Sequence, residues 1–428
     1  MCLLVQPAAI AQSSGATDDL SREELIGLIR DLQRRVEDLE SNAVLSEPET
    51  YVREVEVYVD ESGVEYDEPQ VGARPVVTYE RERVYRRQTI NEAIEAALDD
   101  AASNSVEVGV DAAVIVQSAH QTSGPDGGAD GNFYQLASAD LYFTAGLAQN
   151  TIFFADVVGL SGTPPDGEIN GLTLVNGYTA RLVEQNDISL REAWLHTELF
   201  DQQLSLTAGR VDLTNYFDNN AVANDETSQF LSDALVNNPM LGLSENGAGV
   251  AAVYDPKNGF TARAGYQQSS SMATNLSDSL FYLGELGYLW SPFGLGEGNY
   301  RAWFRTDNSS GGDRDGYGVS IDQRITPSIT LFGRYGSAQA DVDRDEFYSA
   351  GFEFRNGFVL NPEDAWGVGY ARTSLDAGDE EGLVEGYYKF HLTQKLALAA
   401  HLTHVTEEPM GGDDVSYLVP GLRLQTGF

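Results

Sequence analysis

The sequence predicts an all-β protein, a 16-stranded antiparallel transmembrane β-barrel preceded by a short N-terminal coiled-coil helix. Three observations carry this expectation. Beyond Asn104 the chain breaks into segments of about ten residues that alternate apolar and polar side chains, each closed by Gly, Asn, Asp, Ser or Pro. The connections between segments alternate short and long. And the composition is that of a barrel: 428 residues with Gly 43, Tyr 21 and Phe 18, only 42% hydrophobic, and no apolar run of the roughly 18 residues a membrane helix needs. A barrel strand needs only every second residue to face lipid, so its mean hydropathy stays near that of a soluble protein.

Taken from the start, residues 1–11 are apolar, and Ala9-Ile10-Ala11 before Gln12 reads as a small-residue cleavage site, the remnant of a signal peptide. The single cysteine, Cys2, lies inside it, so disulfides have no part in the mature chain. Residues 21–46 contain SREELIGLIRDLQRRVEDLESN, where Leu25, Ile29, Leu32, Val36 and Leu39 recur at steps of four and three behind a Ser21 cap with Glu24 three positions on. About three heptads are marginal alone, so a coiled coil here implies copies already held together, a homotrimer being the expected assembly. A single amphipathic helix is the alternative. Residues 47–103 form a connector: VREVEVYVDESGVEYDE and TYERERVYRRQ suggest short strands with solvated charges, and TINEAIEAALDDAA, residues 89–102, is a helix placed to sit below a pore or plug part of it.

Residues 104–428 supply the barrel. Candidate strands fall near 105–116, 132–147, 150–159, 188–200, 203–212, 246–254, 258–266, 278–290, 297–307, 314–325, 328–337, 346–356, 366–374, 382–392, 395–405 and 416–428. An even count returns both ends of the barrel to one side of the membrane. Connections after even segments are tight, as at Ala148-Gln149-Asn150, Asp201-Gln202, Asp255-Pro256-Lys257, Thr326-Pro327 and Thr393-Gln394. Those after odd segments are longer and polar, as in SAHQTSGPDGGADG, TDNSSGGDRDG and TEEPMGGDDVS. Two even connections, 291–296 and 357–365, are longer than this rule wants. A charge facing lipid at mid-depth costs about 2 to 4 kcal/mol, so Arg263, Arg301, Arg305, Arg334 and Arg355, each opposite apolar parity, should line the pore. A lumenal carboxylate such as Glu285, Asp322 or Glu353 is the alternative partner that would make them structural. Trp290, Phe293, Trp366 and Tyr417 suit interfacial girdles.

The final segment SYLVPGLRLQTGF puts Leu418, Leu422, Leu424 and Phe428 on one face and Tyr417, Arg423 and Gln425 on the other. A two-faced strand ending on Phe resembles the assembly signal of bacterial outer-membrane barrels, which implies the outer membrane, with the N-terminal region in the periplasm. Between the fifth and sixth segments runs GRVDLTNYFDNNAVANDETSQFLSDALVNNPMLGLSENG, residues 209–247. A connection this long inside a compact domain usually has a function. Its Asn, Asp and Glu content is what a constriction needs to replace water around a solute. Gly209-Arg210-Val211-Asp212, Tyr216-Phe217-Asp218-Asn219-Asn220, Asn224-Asp225-Glu226-Thr227, Gln229-Phe230-Leu231 and Val236-Asn237-Asn238-Pro239 are similar to the carbohydrate-selective porin family over about thirty residues. The resemblance implies a 16-stranded diffusion channel, passing small hydrophilic solutes, carbohydrates or inorganic ions, with this third external connection folded into the barrel. Asp218, Asn219, Asn220, Asn224, Asp225 and Glu226 are then the expected constriction residues. The alternative for the same stretch is that its aromatics pack the loop on the wall while its asparagines cap turns.

Other chemistry is poorly supported. Net charge −40, from 66 acidic and 26 basic residues, is incompatible with a nucleic-acid groove. His401 and His404 would sit on opposite faces of a strand, so no metal site is expected. No cofactor is expected, and no nucleophile and base pair points to an enzyme. Acidic loops at Asp126 to Asp130 and at Asp341, Asp343, Asp345 and Glu346, the latter without the central Gly of an EF-hand, read first as solvated loop tips; a divalent-ion bridge to lipopolysaccharide is the alternative, and membrane lipid is the other expected partner. A second function class, an anchor that ties the membrane to peptidoglycan or other cell-wall components through the N-terminal stalk, is set apart from a pore by whether conduction survives loss of residues 21–46.

Overall fold

A computed structural model describes residues 106–427 except 126, 170, 182, 184, 244, 269–278, 309–313, 341–342, 356–363 and 394, and before them 52–59, 65–66, 74–81, 90, 93–94 and 97–98. The leader, the coiled coil expected over 21–46 and the terminal Phe428 lie outside the described residues. In the connector, β1 (Val52–Val59) pairs antiparallel with β2 (Glu65–Tyr66) and β3 (Arg74–Arg81), in the order β2-β1-β3. Its alternating acidic and β-branched residues are those that a strand with two different faces requires. The described positions 90, 93, 94, 97 and 98 are helical. Ile90, Ile94, Ala97 and Leu98 recur at helical spacing, are buried, and belong to the same apolar cluster as barrel residues.

The rest is one closed antiparallel sheet. Its strands are β4 (Val106–Ser118), β5 (His120–Ser123), β6 (Phe133–Ala148), β7 (Thr151–Thr163), β8 (Ile188–Leu199), β9 (Leu204–Val211), β10 (Gly247–Tyr254), β11 (Phe260–Gln268) and β12 (Leu280–Trp290). It continues through β13 (Gly298–Asp307), β14 (Arg314–Thr326), β15 (Ile329–Gln339), β16 (Arg344–Arg355), β17 (Ala365–Ser374), β18 (Glu380–Thr393), β19 (Leu396–Glu408) and β20 (Val415–Gly427). β4 and β5 run along the same neighbour, β20, and are two pieces of one strand broken at Ala119, so the barrel has 16 strands. Closure joins β20 to β4, with Leu422 opposite Val116 and Leu424 opposite Val114. Each expected segment overlaps one strand. The main differences are at strand ends: β7 runs to Thr163 because Leu160 and Thr163 stay paired with Ser138 and Gln135, although the small residues there hide the alternation. The longer connection after β12 is a turn, Pro292–Gly294, and adds no strand.

Alternation sets the two surfaces. In β6 the pattern is strict, with Leu136, Ser138, Asp140 and Tyr142 inward and Ala137, Ala139 and Leu141 outward. The outer wall exposes Leu286, Phe304, Leu331, Leu402 and Leu422 side by side with many others, far more apolar area than a water-soluble protein tolerates. Among the described residues no helix is long and apolar enough to cross a membrane; the strands are the spanning elements. Outward aromatics form two belts. At the tight-turn end Trp290 lies 5.9 Å from Tyr300, and Phe354 lies 5.7 Å from Trp366. At the long-loop end Tyr266 meets Tyr282 at 5.5 Å and Tyr348 meets Tyr370 at 6.0 Å. These are the interfacial girdles of a membrane barrel. Tyr417 is not in them: it is 4% exposed and faces inward, on the parity of Arg423.

A folded loop inside the barrel as the candidate constriction

After β9 the chain turns inward. Near the end of β9, Gly209 has φ +150°, and a Cβ there would stand 2.3 Å from the Ala193 carbonyl oxygen, so only glycine fits at this position. Asp212 then caps a single turn, Leu213–Asn215, accepting from the Thr214 amide at 3.1 Å, while Arg191 holds its other oxygen at 2.8 Å. From Leu213 to Leu241 nearly every residue is buried, including α1 (Asp233–Val236). The loop has entered the barrel. Phe217 lies over Gly265, where a Cβ would come within 2.7 Å of its ring, and Phe230 packs edge-on against Phe332 and Tyr387 with centroids at 5.6 and 4.9 Å.

Buried backbone polar groups must be paired, and here the wall pairs them with charges. Arg263 donates to the Tyr216 carbonyl at 2.6 Å, Arg301 to Asn219 at 2.7 Å and Arg305 to Met240 at 2.9 Å. Arg334 donates to Asp218 and Leu235 carbonyls at 3.0 and 3.1 Å and also to Ala223. Arg423 reaches the carbonyls of Glu226 and Gln229 at 2.5 and 3.2 Å. The loop's N–H groups meet carboxylates: Asp218 N donates to Glu285 at 2.7 Å, Ala221 N to Asp322 at 3.2 Å, and Leu231 N and Ser232 N to Glu385 at 2.7 and 2.8 Å.

The five arginines singled out in the sequence all point inward, and each has a carboxylate partner. Arg263 pairs with Glu285 at 3.1 Å, Arg301 with Asp322 at 3.0 Å, Arg334 with Asp218 at 2.8 Å and Arg355 with Glu353 at 2.9 Å; Arg305 pairs with Asp307. Four of the five also hold the loop; Arg355 turns to its own strand. The six acidic and amide residues of the loop are buried as well. Asp218 accepts from Trp303 Nε1 at 2.7 Å besides its ion pair, and burial pushes its carboxyl up to about 6 against the pull of Arg334. Asn219 and Asn220 face β14, the Asn220 amide donating to the Ser320 hydroxyl at 3.2 Å and to the Ile321 carbonyl at 3.1 Å. Asn224 accepts from Asn220 N at 3.2 Å. Asp225 caps Thr227 and Ser228, with burial and the adjacent Glu226 raising its pKa. Glu226 is held by Arg181 at 2.7 Å.

Arg181 belongs to a second inward loop, 164–187, which sequence reasoning missed. Gly177 N donates to the Leu231 carbonyl at 2.7 Å and Asp233 N to the Leu174 carbonyl at 2.9 Å, so the two loops are zipped together. Between them opens a cavity of about 330 Å³, lined by Leu174, Thr179, Phe217, Asp218, Asn224 and Asp233 among others. Asp218 and Asn224 are thus the two expected constriction residues that reach open space. The missed signal was Asn176-Gly177-Tyr178, an amide-capped turn, with Arg181 three positions on.

The sequence model of the carbohydrate-selective porin family, OprB, matches residues 125–313, the stretch that contains both inward loops. The match covers less than half of the chain, and it is residues 125–313 that are similar to this family. An uncharacterised Aquifex aeolicus protein is 28% identical over 219 residues, covering 51% of this chain and 62% of that protein. The porin AaxA of Chlamydia abortus is 27% identical over 210 residues, covering 45% of this chain and 46% of that porin. The chain therefore spans less than two thirds of these relatives. The high-pH structure of Pseudomonas putida OprB superposes with a TM-score of 0.63 at 17% identity, over 81% of this chain and 99% of that one, a likeness of fold.

Proposed function

We propose that this barrel, similar over residues 125–313 to the carbohydrate-selective porins, is a passive diffusion porin of the bacterial outer membrane, admitting small hydrophilic solutes through a water-filled lumen narrowed by the loop around residues 213–245. The observation that carries the reading is a long polar loop folded into a barrel and pinned there by wall charges, leaving a cavity of about 330 Å³ edged by Asp218, Asn224 and Thr179. A space of that size takes a monosaccharide or a hydrated ion, and amides and hydroxyls beside Leu174 and Phe217 suit solutes with both polar edges and C–H faces. In this reading Asn219, Asn220, Asp225 and Glu226 shape the loop from behind, and Arg263, Arg301, Arg305 and Arg334 hold it. Arg355 lines the remaining lumen.

Copies are proposed to associate as a homotrimer through the arc β19-β20-β4, whose outward residues, such as Leu398, Leu402, Leu422, Val114 and Val116, include no Tyr or Trp, while the girdles are dense on β11 to β18. Residues 21–46 would then meet in the periplasm as a coiled coil, with 47–103 as the connector. Liposome swelling tests the porin reading. Vesicles carrying the protein should admit pentoses and hexoses and exclude larger oligosaccharides, and deleting 218–240 should raise the size limit. Impermeable vesicles containing folded barrels would reject it.

A further inference from the structure

Strand register sets three inward cations in one row of the wall. Arg355 and Lys389 both lie opposite Ala365, and Lys389 and Arg423 both lie opposite Ala399, so neighbours in the row stand two strand spacings, about 10 Å, apart. The alanines between them add only methyl groups. The row lies on the tight-turn side of the folded loop, whose Phe230 and Leu235 sit over Gly367 and Gly369, the next inward positions of β17. Two of the cations have acceptors: Arg355 pairs with Glu353 at 2.9 Å, and Arg423, fully buried, donates to the Glu226 and Gln229 carbonyls at 2.5 and 3.2 Å. Lys389 has none. It is 8% exposed, its ammonium makes no hydrogen bond or ion pair among the described residues, and its nitrogen is not sealed from the lumen. The charged groups that act most on it from a distance are Glu353, Arg355, Arg423 and Asp225. Both carboxylates have their oxygens engaged elsewhere. Glu353 accepts from Arg355 Nε and from the Tyr387 hydroxyl at 2.5 Å, and Asp225 accepts from the Thr227 amide and from the Thr227 and Ser228 hydroxyls. An ammonium so covered is costly unless acceptors complete its three N–H donors, and the described chain supplies none.

We propose that Lys389, with Arg355 and Arg423 beside it, is a lumenal subsite for an oxyanion, a carboxylate or phosphate group of a passing solute, which completes the bonds of its ammonium. A lysine suits a passing contact, because its three donors turn freely around a point charge, and a dissociation constant of about 10 mM would hold a solute briefly and let it leave. The solute's passage rests on the porin reading, which the subsite deepens by naming a solute class; the site itself can be read without current. The chain has three lysines, and the other two, Lys257 and Lys395, are exposed in tight turns, so amine labelling read by mass spectrometry carries its own controls. Full-length protein in detergent is treated with a small amine-reactive ester in chloride at constant ionic strength, with inorganic phosphate, acetate or glucose added. Phosphate or acetate at about 100 mM should slow labelling of Lys389 about tenfold and leave Lys257 and Lys395 within about 1.5-fold, while glucose slows none of them. Slowing by one of the two oxyanions alone assigns the site to that group. Unchanged labelling of Lys389, equal slowing by glucose, or a Lys389 that never labels would overturn the inference and leave the porin standing. In planar bilayers, phosphate should reduce the potassium chloride current of the wild type and lose that effect in Lys389→Gln; equal block in both would overturn the inference as well. Folded barrels without conductance, with Lys389 still protected by oxyanions, would overturn the porin reading alone.

Discussion

Replacing Arg334 by Met tests whether the wall's charges hold the inward loop. The guanidinium is 3% exposed and makes an ion pair with Asp218 at 2.8 Å, and it donates to the carbonyls of Asp218, Leu235 and Ala223 and to the Asn224 side chain at 3.3 Å. Methionine fills much of the volume and supplies none of the protons. The Asp218 carboxylate, 3% exposed, is left with the neutral donors Trp303 and Asn238, and three carbonyls lose a charged partner. Removing one member of a buried pair costs about 3 to 5 kcal/mol. The loop remains tied through Arg263, Arg301, Arg305, Arg423 and Glu385, and the barrel's ladders are untouched, so the cost falls on local opening of the loop. At about 1.4 kcal/mol per decade, the open population should rise by about two to three and a half orders of magnitude. Hydrogen exchange of peptides covering 212–246 reads this directly, with heat-resistant migration on gels confirming an intact barrel. Adding Asp218→Asn should recover most of the protection, because the neutral amide keeps an acceptor for Trp303 and no longer buries an uncompensated charge. Loop exchange within twofold of wild type in the single variant would refute the argument that the wall charges secure the loop.

Three further outcomes follow from the same geometry. Glu385→Gln leaves one acceptor oxygen for the Leu231 and Ser232 amides, so residues 230–236 should open more easily by about 1.5 to 3 kcal/mol, read as faster exchange there; unchanged exchange would mean those amides are satisfied elsewhere. Asp166, in the second loop, accepts from the Val175 and Asn176 amides, and burial pushes its carboxyl up from 3.8 to about 7. A raised carboxyl favours the protonated folded loop, so the stability of 164–187 should grow as pH falls from about 7 toward 3.8 and be lost as pH rises through 7; Asp166→Asn should flatten the profile, and slower exchange at pH 8 than at pH 5, corrected for intrinsic rates, would contradict it. Leu286→Arg places a charge at the centre of the outer face of β12 and should destabilise refolded barrels in lipid vesicles by about 2 to 4 kcal/mol in urea titrations, whereas a wall that never meets lipid would tolerate it.

The strands were legible because lipid outside and polar groups inside impose a choice of two at every residue, repeated over each segment. Arg301, Trp303 and Arg305 against Ala302 and Phe304 admit one orientation, and the structure has it. Connection length supplied the second, independent constraint. Tyr417 shows what happens when a residue type overrules parity: it shares the face of Arg423, and assigning it to a girdle because it is aromatic and near a strand end ignored that. The loop's place was legible from its length and order, and its contacts were not. Whether Arg263 meets a solute, Glu285 or a backbone carbonyl depends on how the intervening chain folds across the lumen, a long-range arrangement without local periodicity. The loop 164–187 escaped notice for the same reason: its turns at Pro165–Gly167 and Gly177–Ala180 are short, and what makes them inward is a partner, Leu231, some fifty residues away.

Why a barrel should spend so many buried charges on one loop is answered by which atoms they touch. Arg263, Arg301, Arg305, Arg334 and Arg423 bind carbonyls of Tyr216, Asn219, Met240, Leu235 and Gln229, and Glu285, Asp322 and Glu385 bind amides of Asp218, Ala221, Leu231 and Ser232. These are backbone groups, present whatever the side chain. A loop held by an apolar patch would bind itself to the sequence that packs there, and a change of lining would cost anchorage. A loop held by its own peptide groups can exchange a cavity-facing side chain that takes no part in this bonding, such as Leu243, with little loss of position. The charges also keep the lumen from collapsing into a dry core, because each carboxylate and guanidinium is costly to bury except against the partner it has. Cavity lining and anchorage are in that way carried by different atoms of one segment, so the lining can change while the fold around it stays the same.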